Sequence, residues 1–222
     1  MFFIAGIEVN KIKIHEIYRS IQGESTHVGR PCTFIRTSGC KLRCTWCDTK
    51  HAYHEGSWMD IESILTTVRA LDVPLVEITG GEPMEQELSC DLMKALLEEG
   101  FQVLLETGGH ILCDKVPVEV RKIIDMKCPA SKMEQKNHYG NLELLQLHDE
   151  VKFVIQDKND FDWSVNLVKN FNLSKRATVL FSPVHALMDP SILVEWILDS
   201  GLDIRFQIQM HKVIWDPEAR GV

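Results

Sequence analysis

Cys40, Cys44 and Cys47 fall within eight residues, in the segment SGCKLRCTWCDT. The spacing CxxxCxxC lets three thiolates come from one short loop. A 4Fe–4S cube carries a thiolate on each iron, normally four in all. Three from one loop would leave the fourth iron open to a chelating ligand from outside the chain. The alternative is a structural zinc, with His51 completing a Cys3His tetrahedron. Zinc sites usually draw on two separated ligand pairs, and no second pair follows here. The first chemistry is redox at an open iron, and the second is purely architectural.

Positioning such a loop requires a rigid frame, and the sequence alternates in the way that supplies one. Short apolar runs at 32–37, 75–79, 102–107, 122–126, 151–155, 178–182 and 204–208 read as strands. Between them, 60–71, 86–99, 161–171 and 191–200 read as helices, the second closed by Gly100. Strands joined by helical crossovers pair in parallel with right-handed connections. The expected fold class is α/β, an incomplete α/β barrel of about six mainly parallel strands; a strongly curved open sheet fits equally. Either way, ligands collect at the carboxyl ends of the strands. The cysteine loop, Gly80–Gly81–Glu82–Pro83, Glu106–Thr107–Gly108–Gly109, the stretch from Lys127 to Lys132, and Ser182–Pro183 all follow strand ends. Five polar or glycine-rich turns on one rim describe one composite site.

Composition narrows the ligand. The 222 residues, 45% of them apolar, suit one domain spanning 1–222 with a sizeable core. Seven cysteines cannot pair off completely, and Cys32, Cys90, Cys113 and Cys128 lie scattered among apolar neighbours as core filler. The opening MFFIAGIEVNKIK has no basic region before its apolar start, so no export signal is expected. No stretch approaches the roughly 20 apolar residues that span a bilayer. A cytoplasmic protein without membrane contact follows, in a compartment where clustered cysteines serve metals or catalysis. The formal charge of −8 argues against a nucleic-acid surface and for a small-molecule substrate. Arg36 sits in the apolar run CTFIRT on the same face as Phe34. A parallel strand covered on both sides is nearly all apolar, so this arginine calls for an anionic partner. That partner is either a substrate carboxylate gripped by two hydrogen bonds or an internal carboxylate.

The triplet after a first strand resembles the signature of the radical S-adenosylmethionine superfamily. Gly80, Gly81 and Glu82 resemble that superfamily's GGE motif, which receives the methionine amino group of the cofactor. Glu106 and Thr107 resemble the acidic turn that contacts the cofactor ribose. Here it reads ETGG, so a side-chain contact made elsewhere by Asn at the third position is missing. By the same resemblance Ser131 and Lys132, with Lys127 and Ser182, would hold the carboxylate and hydroxyls of the cofactor.

Over nearly its whole length the chain resembles the 7-carboxy-7-deazaguanine synthase family. The resemblance starts at IYRSIQGE (17–24) and runs through GRP (29–31), FIR (34–36), the triplet with WCDT (46–49), TGGEP (79–83) and DMKCP (125–129). It continues in DEVKF (149–153), FSP (181–183), QMHK (209–212) and WDPEARGV (215–222). It implies a cluster loop at 38–49 and a segment at about 204–222 that caps the substrate. It implies that the reduced 4Fe–4S cluster cleaves S-adenosylmethionine to a 5′-deoxyadenosyl radical. That radical would take hydrogen from C6 of 6-carboxy-5,6,7,8-tetrahydropterin, whose ring contracts with loss of ammonia. It further implies that Gln22, Gly23, Glu24, Arg36 and His211 bind substrate and that Thr49 ligates Mg2+. An external flavodoxin- or ferredoxin-like electron donor and a homodimer belong to the same implication. Two alternatives stand beside it: an activase that places a glycyl radical on a protein partner, and a zinc-stabilised module without catalysis.

Overall fold

The computed structural model describes residues 10–222; the reading of 1–9 as lacking an export signal lies outside them. The chain runs β1 (Ile12–Ile21), β2 (Pro31–Thr37), β3 (Ser57–Met59), α1 (Ile61–Leu71), β4 (Leu75–Gly80), α2 (Ser89–Glu98), β5 (Gln102–Thr107) and β6 (Arg121–Met126). It continues with α3 (Gly140–Glu143), β7 (Glu150–Ile155), α4 (Lys158–Asn170), β8 (Thr178–Pro183), α5 (Pro190–Ser200), β9 (Arg205–Phe206) and α6 (His211–Ile214). All strands form one sheet in the order β3-β1-β2-β4-β5-β6-β7-β8-β9. From β2 to β9 every pairing is parallel, which gives seven parallel strands where about six were expected. The sheet ends at β3 on one side and β9 on the other, so it is a barrel left open. Two strands were not foreseen. β1 pairs antiparallel with β2, and the short β3 pairs antiparallel with β1.

The helices begin where capping residues allow. Asp60, Asp157 and Asp189 each accept a hydrogen bond from a first-turn backbone N–H of α1, α4 and α5. Proline follows the cap at the start of α5, where its missing N–H costs nothing. The apolar faces of α1 and α2 bury against Ile35, Val76, Ile78 and Leu105, while α4 and α5 bury against Val151, Phe153, Val179 and Phe181. These residues alternate along each strand with a second set that points the other way. Near the amino ends that inner set is apolar: Cys32, Leu75, Leu104 and Ile123 form a small cluster with Phe34 and Tyr18. Nearer the carboxyl ends it is charged, with Arg36, Glu77, Glu106, Asp125 and Lys152. The apolar plug closes the barrel floor, and the charges line what lies above it. Among the described residues no helix is long and apolar enough to cross a membrane.

Candidate active site at the carboxyl rim

A cavity of about 470 Å3 opens at the carboxyl ends of the strands. Cys40, Cys44 and Cys47 line it from the loop after β2. All three are free thiols and partly exposed. Burial pushes the Cys40 thiol up to about 11 and also raises Cys44, with the Lys127 ammonium opposing both rises. A coordinating metal deprotonates such thiols outright. Arg43 folds back over this loop. Its guanidinium donates to the carbonyls of Cys40 and Leu42 and lies 4.4 Å from the Tyr53 ring centroid. A tetrahedral zinc would hold its thiolates about 3.8 Å apart, given Zn–S bonds near 2.3 Å. Among the described residues, the one set of three His, Cys, Asp or Glu side chains with ligand atoms all within 4.8 Å of one another is His15, Glu16 and His51. Cys40, Cys44 and Cys47 do not meet that spacing, and the ligand atom of His51 lies beside those of His15 and Glu16.

The next two turns are bonded to the cluster loop and to each other. Gly81 N–H donates to the Thr37 carbonyl (2.9 Å), and Glu82 N–H donates to the Gly39 carbonyl (2.7 Å). A Cβ built on Gly81 would run into that same Gly39 carbonyl oxygen, and Gly80 holds φ +127°. Both glycines are therefore required by the approach of the two turns. The fully buried Glu82 carboxylate accepts from Thr107 Oγ1 (2.7 Å), Gly108 N (2.8 Å) and Met84 N (3.0 Å). Burial raises its pKa against these bonds. The thiol loop, the GGEP turn and the ETGG turn thus form one hydrogen-bonded unit. Gly81→Ala should separate two of its parts. Overpacking of this kind costs about 1–3 kcal/mol of stability, and parting the GGEP turn from the thiol loop should also weaken S-adenosylmethionine binding. Equilibrium binding to the anaerobic protein would measure it, and unchanged affinity would deny the coupling.

Across the cavity the QGE turn meets the C-terminal segment. The Gly23 carbonyl accepts from Met210 N–H at 2.9 Å, and a Cβ on Gly23 would strike the His211 ring. Glu24 accepts from Gln209 Nε2 (2.9 Å) and pairs with Lys152 Nζ (2.9 Å). Burial would raise Glu24, but the Lys152 charge, the Gln209 bond and His211 hold it below the usual carboxylate range. Lys152 also pairs with Glu106 and lies 3.6 Å from Asp125. Burial would lower this lysine, yet Glu106, Glu24 and Asp125 keep it well above its ordinary value and charged. Burial and the Glu106 and Glu24 charges push Glu77 well above the carboxylate range, and Gln22 Nε2 donates to it.

Fifteen of the residues expected at the site line this one cavity: Gln22, Gly23, Glu24, Arg36 and His211; Gly80, Gly81, Glu82, Glu106, Thr107 and Lys127; Cys40, Cys44, Cys47 and Thr49. Ser131, Lys132 and Ser182 do not. Ser131 Oγ donates to the Cys128 carbonyl, closing its own turn, while its carbonyl accepts from Thr45 and so braces the thiol loop from behind. Lys132 ends that turn in the left-handed region, and Ser182 is buried within β8. Arg36 also has a partner that the sequence reading left open. Its Nε donates to Glu16 Oε1 (2.7 Å) and its Nη2 to Tyr18 Oη (2.9 Å), both on β1. The residues that reading missed are Glu16, Tyr18, Glu77, Asp125 and Lys152. For Glu77 the signal is the one used for Arg36, a lone charged residue inside an apolar strand.

An open parallel barrel with a CxxxCxxC thiol triplet lining the cavity at its carboxyl rim is the arrangement expected of a radical S-adenosylmethionine protein. A sequence profile of that superfamily matches residues 34–185, and the chain belongs to it. Such membership implies a 4Fe–4S cluster and S-adenosylmethionine. The 7-carboxy-7-deazaguanine synthase of Koribacter versatilis is 42% identical, over 95% of this chain and all of its own. That of Chlorobaculum tepidum is 40% identical, over 95% of this chain and 97% of its own. Within the superfamily, then, this chain belongs to the 7-carboxy-7-deazaguanine synthases. The crystal structure of QueE from Escherichia coli shares the fold, with a TM-score of 0.76 over 90% of this chain and 95% of that one at 22% identity.

Proposed function

We propose that this chain is a lyase converting 6-carboxy-5,6,7,8-tetrahydropterin into 7-carboxy-7-deazaguanine and ammonia, a step toward 7-deazapurines such as the queuosine of tRNA. The observation that carries the proposal is the meeting, in one cavity, of the thiol triplet with the Gln22–Gly23–Glu24 turn and Arg36. Bound together, the cluster and S-adenosylmethionine supply one-electron cleavage of the sulfonium and a carbon radical able to take hydrogen from C6. The chain's own residues bind, orient and exclude water. Glu82, with the backbone of Gly80 and Gly81, accepts bonds from the methionine ammonium. Glu106, Thr107 and Lys127 surround the rest of that cofactor. Glu24, held charged by Lys152, accepts from the amino and ring N–H groups of the pterin, beside Gln22 and His211. Arg36 has Nε on Glu16 and one Nη2 hydrogen on Tyr18. Nη1 and the other Nη2 hydrogen are left for a carboxylate fork.

Mg2+ belongs to the same proposal. Thr49 Oγ1 donates to Asp48 Oδ1 (2.9 Å) and makes no cap bond to the short turn Lys50–Tyr53 that follows it. Its lone pairs are free, and the neighbouring half-exposed Asp48 carboxylate is held below its ordinary range by Lys212 at 2.7 Å. A hydroxyl and a carboxylate are donors that suit a hard ion retaining several waters. Turnover should rise with added Mg2+, and Thr49→Val should blunt that response while cofactor cleavage without substrate survives. An unchanged Mg2+ response in the variant would remove Thr49 from the metal.

The remaining parts of the proposal are one domain over 1–222 with the cluster loop at 38–49, a capping segment at about 204–222, an external flavodoxin- or ferredoxin-like electron donor, a homodimer and a cytoplasmic location. The contact of Met210 and His211 with Gly23 supports the cap. Anaerobic protein given reductant, S-adenosylmethionine and the pterin acid should release ammonia and product in equal amounts. Cofactor cleavage that leaves the pterin untouched would point to the activase reading instead.

A further inference from the structure

We propose that His15, Glu16 and His51 form a second metal site, built for a divalent transition ion of the zinc class. In a regular strand His15 and Glu16 would point to opposite faces. β1 breaks its register here: Ile14 pairs with Thr37, and the next pair is Glu16 with Arg36, which leaves His15 as the extra residue of a bulge. A bulge re-aims side chains, and this one brings the two neighbours together. His51 comes from the short turn Lys50–Tyr53 just after the thiol loop, with its ring centroid 4.9 Å from that of His15. One ligand atom from each of the three residues lies within 4.8 Å of the others.

The surroundings match what metal-bound groups carry. His15 Nδ1 lies 3.2 Å from the Glu55 carbonyl, an acceptor for an Nδ1–H, which would leave Nε2 for the metal. Arg36 Nε donates to Glu16 Oε1 and leaves Oε2 available. Histidine ligands almost always give their second N–H to such an acceptor, and ligating carboxylates are hydrogen-bonded in turn. Two imidazoles and one carboxylate with further positions open suit Zn2+ or Fe2+ and suit Mg2+ poorly. All three residues are partly exposed, and Glu16 and His51 line the main cavity, so an ion has a way in. A bound ion would clamp the segment after the thiol loop onto β1, beside the Arg36 that the proposed function gives to the substrate.

The test uses the cluster-loaded enzyme, dialysed against micromolar Zn2+ with excess Mg2+ to fill any oxygen site. Zinc and iron are then counted by elemental analysis. The wild type should hold one zinc per chain in addition to its iron. His15→Gln and His51→Gln should each weaken zinc binding by more than the roughly 100-fold at most that loss of a supporting partner costs, with iron content unchanged. X-ray absorption of the wild-type zinc should show nitrogen and oxygen neighbours only, at about 2.0–2.2 Å. That spectrum decides the matter even where a variant loses iron. Equal zinc uptake in wild type and variants, no uptake by the wild type, or sulfur at about 2.3 Å would each overturn the site.

Discussion

Replacing Cys40, Cys44 or Cys47 by alanine is expected to abolish both the cluster and the activity. Each thiolate would hold one iron of the cube, and with only three cysteines the loop would have none to spare. No other cysteine lies in the segment 38–49 to take the place of a lost thiolate. Iron content should fall from about four per chain to near zero, together with the brown absorption. Cys90→Ala and Cys113→Ala serve as controls. Neither residue lines the cavity, and Cys113 is buried against the body of the fold. Both variants should keep full iron. A Cys44→Ala protein with undiminished iron would remove the triplet from the account.

The second large effect should come from a residue that carries no cofactor. Lys152 is 4% exposed and is the shared counter-ion of Glu24, Glu106 and Asp125. Lys152→Met keeps the side chain's bulk and removes its charge, leaving carboxylates facing one another in a partly closed cavity. Removing one partner of a buried ion pair costs about 3–5 kcal/mol. At this chain length the loss corresponds to a fall in Tm of roughly 6–20 °C. The pH dependence has a definite sign. Lys152 depresses Glu24, so its contribution is present above the unfolded carboxylate pKa of about 4.3 and is lost as pH falls through the lower folded value. The gap in Tm between variant and wild type should therefore be widest near neutrality and narrow below about pH 4. Scanning calorimetry across that range checks it; a variant within a degree or two of wild type at pH 7 would show that the carboxylates do not depend on this lysine.

The parallel strands were legible because each is an apolar run bounded by turn residues, and the triplet because its spacing is uncommon. β1 was not. Its sequence IKIHEIYRSI mixes charge with apolar residues, since one edge pairs with β2 and the inner face bears Glu16 and Tyr18. Missing β1 hid the internal partner of Arg36. β3 has three residues and two of them are exposed, too little pattern to detect. Glu77, Asp125 and Lys152 are, along the chain, charged interruptions of short strands. They gain meaning once neighbouring strands are in register, as where Asp125 pairs directly with Lys152 across β6 and β7. Ser131 and Lys132 stand outside the lining of the cavity. They follow a strand end as cofactor residues do, but a tight turn commits the serine hydroxyl to its own backbone. Order along the chain located the rim, and hydrogen-bond geometry decided which rim residues face inward.

The most direct test of the proposed reaction is a single anaerobic turnover experiment with the pterin acid deuterated at C6, analysed by mass spectrometry. If this cavity brings C6 to the radical and the cofactor is regenerated, deuterium should appear at the 5′ carbon of the recovered S-adenosylmethionine. 7-Carboxy-7-deazaguanine should accumulate with one ammonia per molecule. Cofactor cleavage giving only unlabelled 5′-deoxyadenosine, with the pterin acid recovered intact, would contradict it.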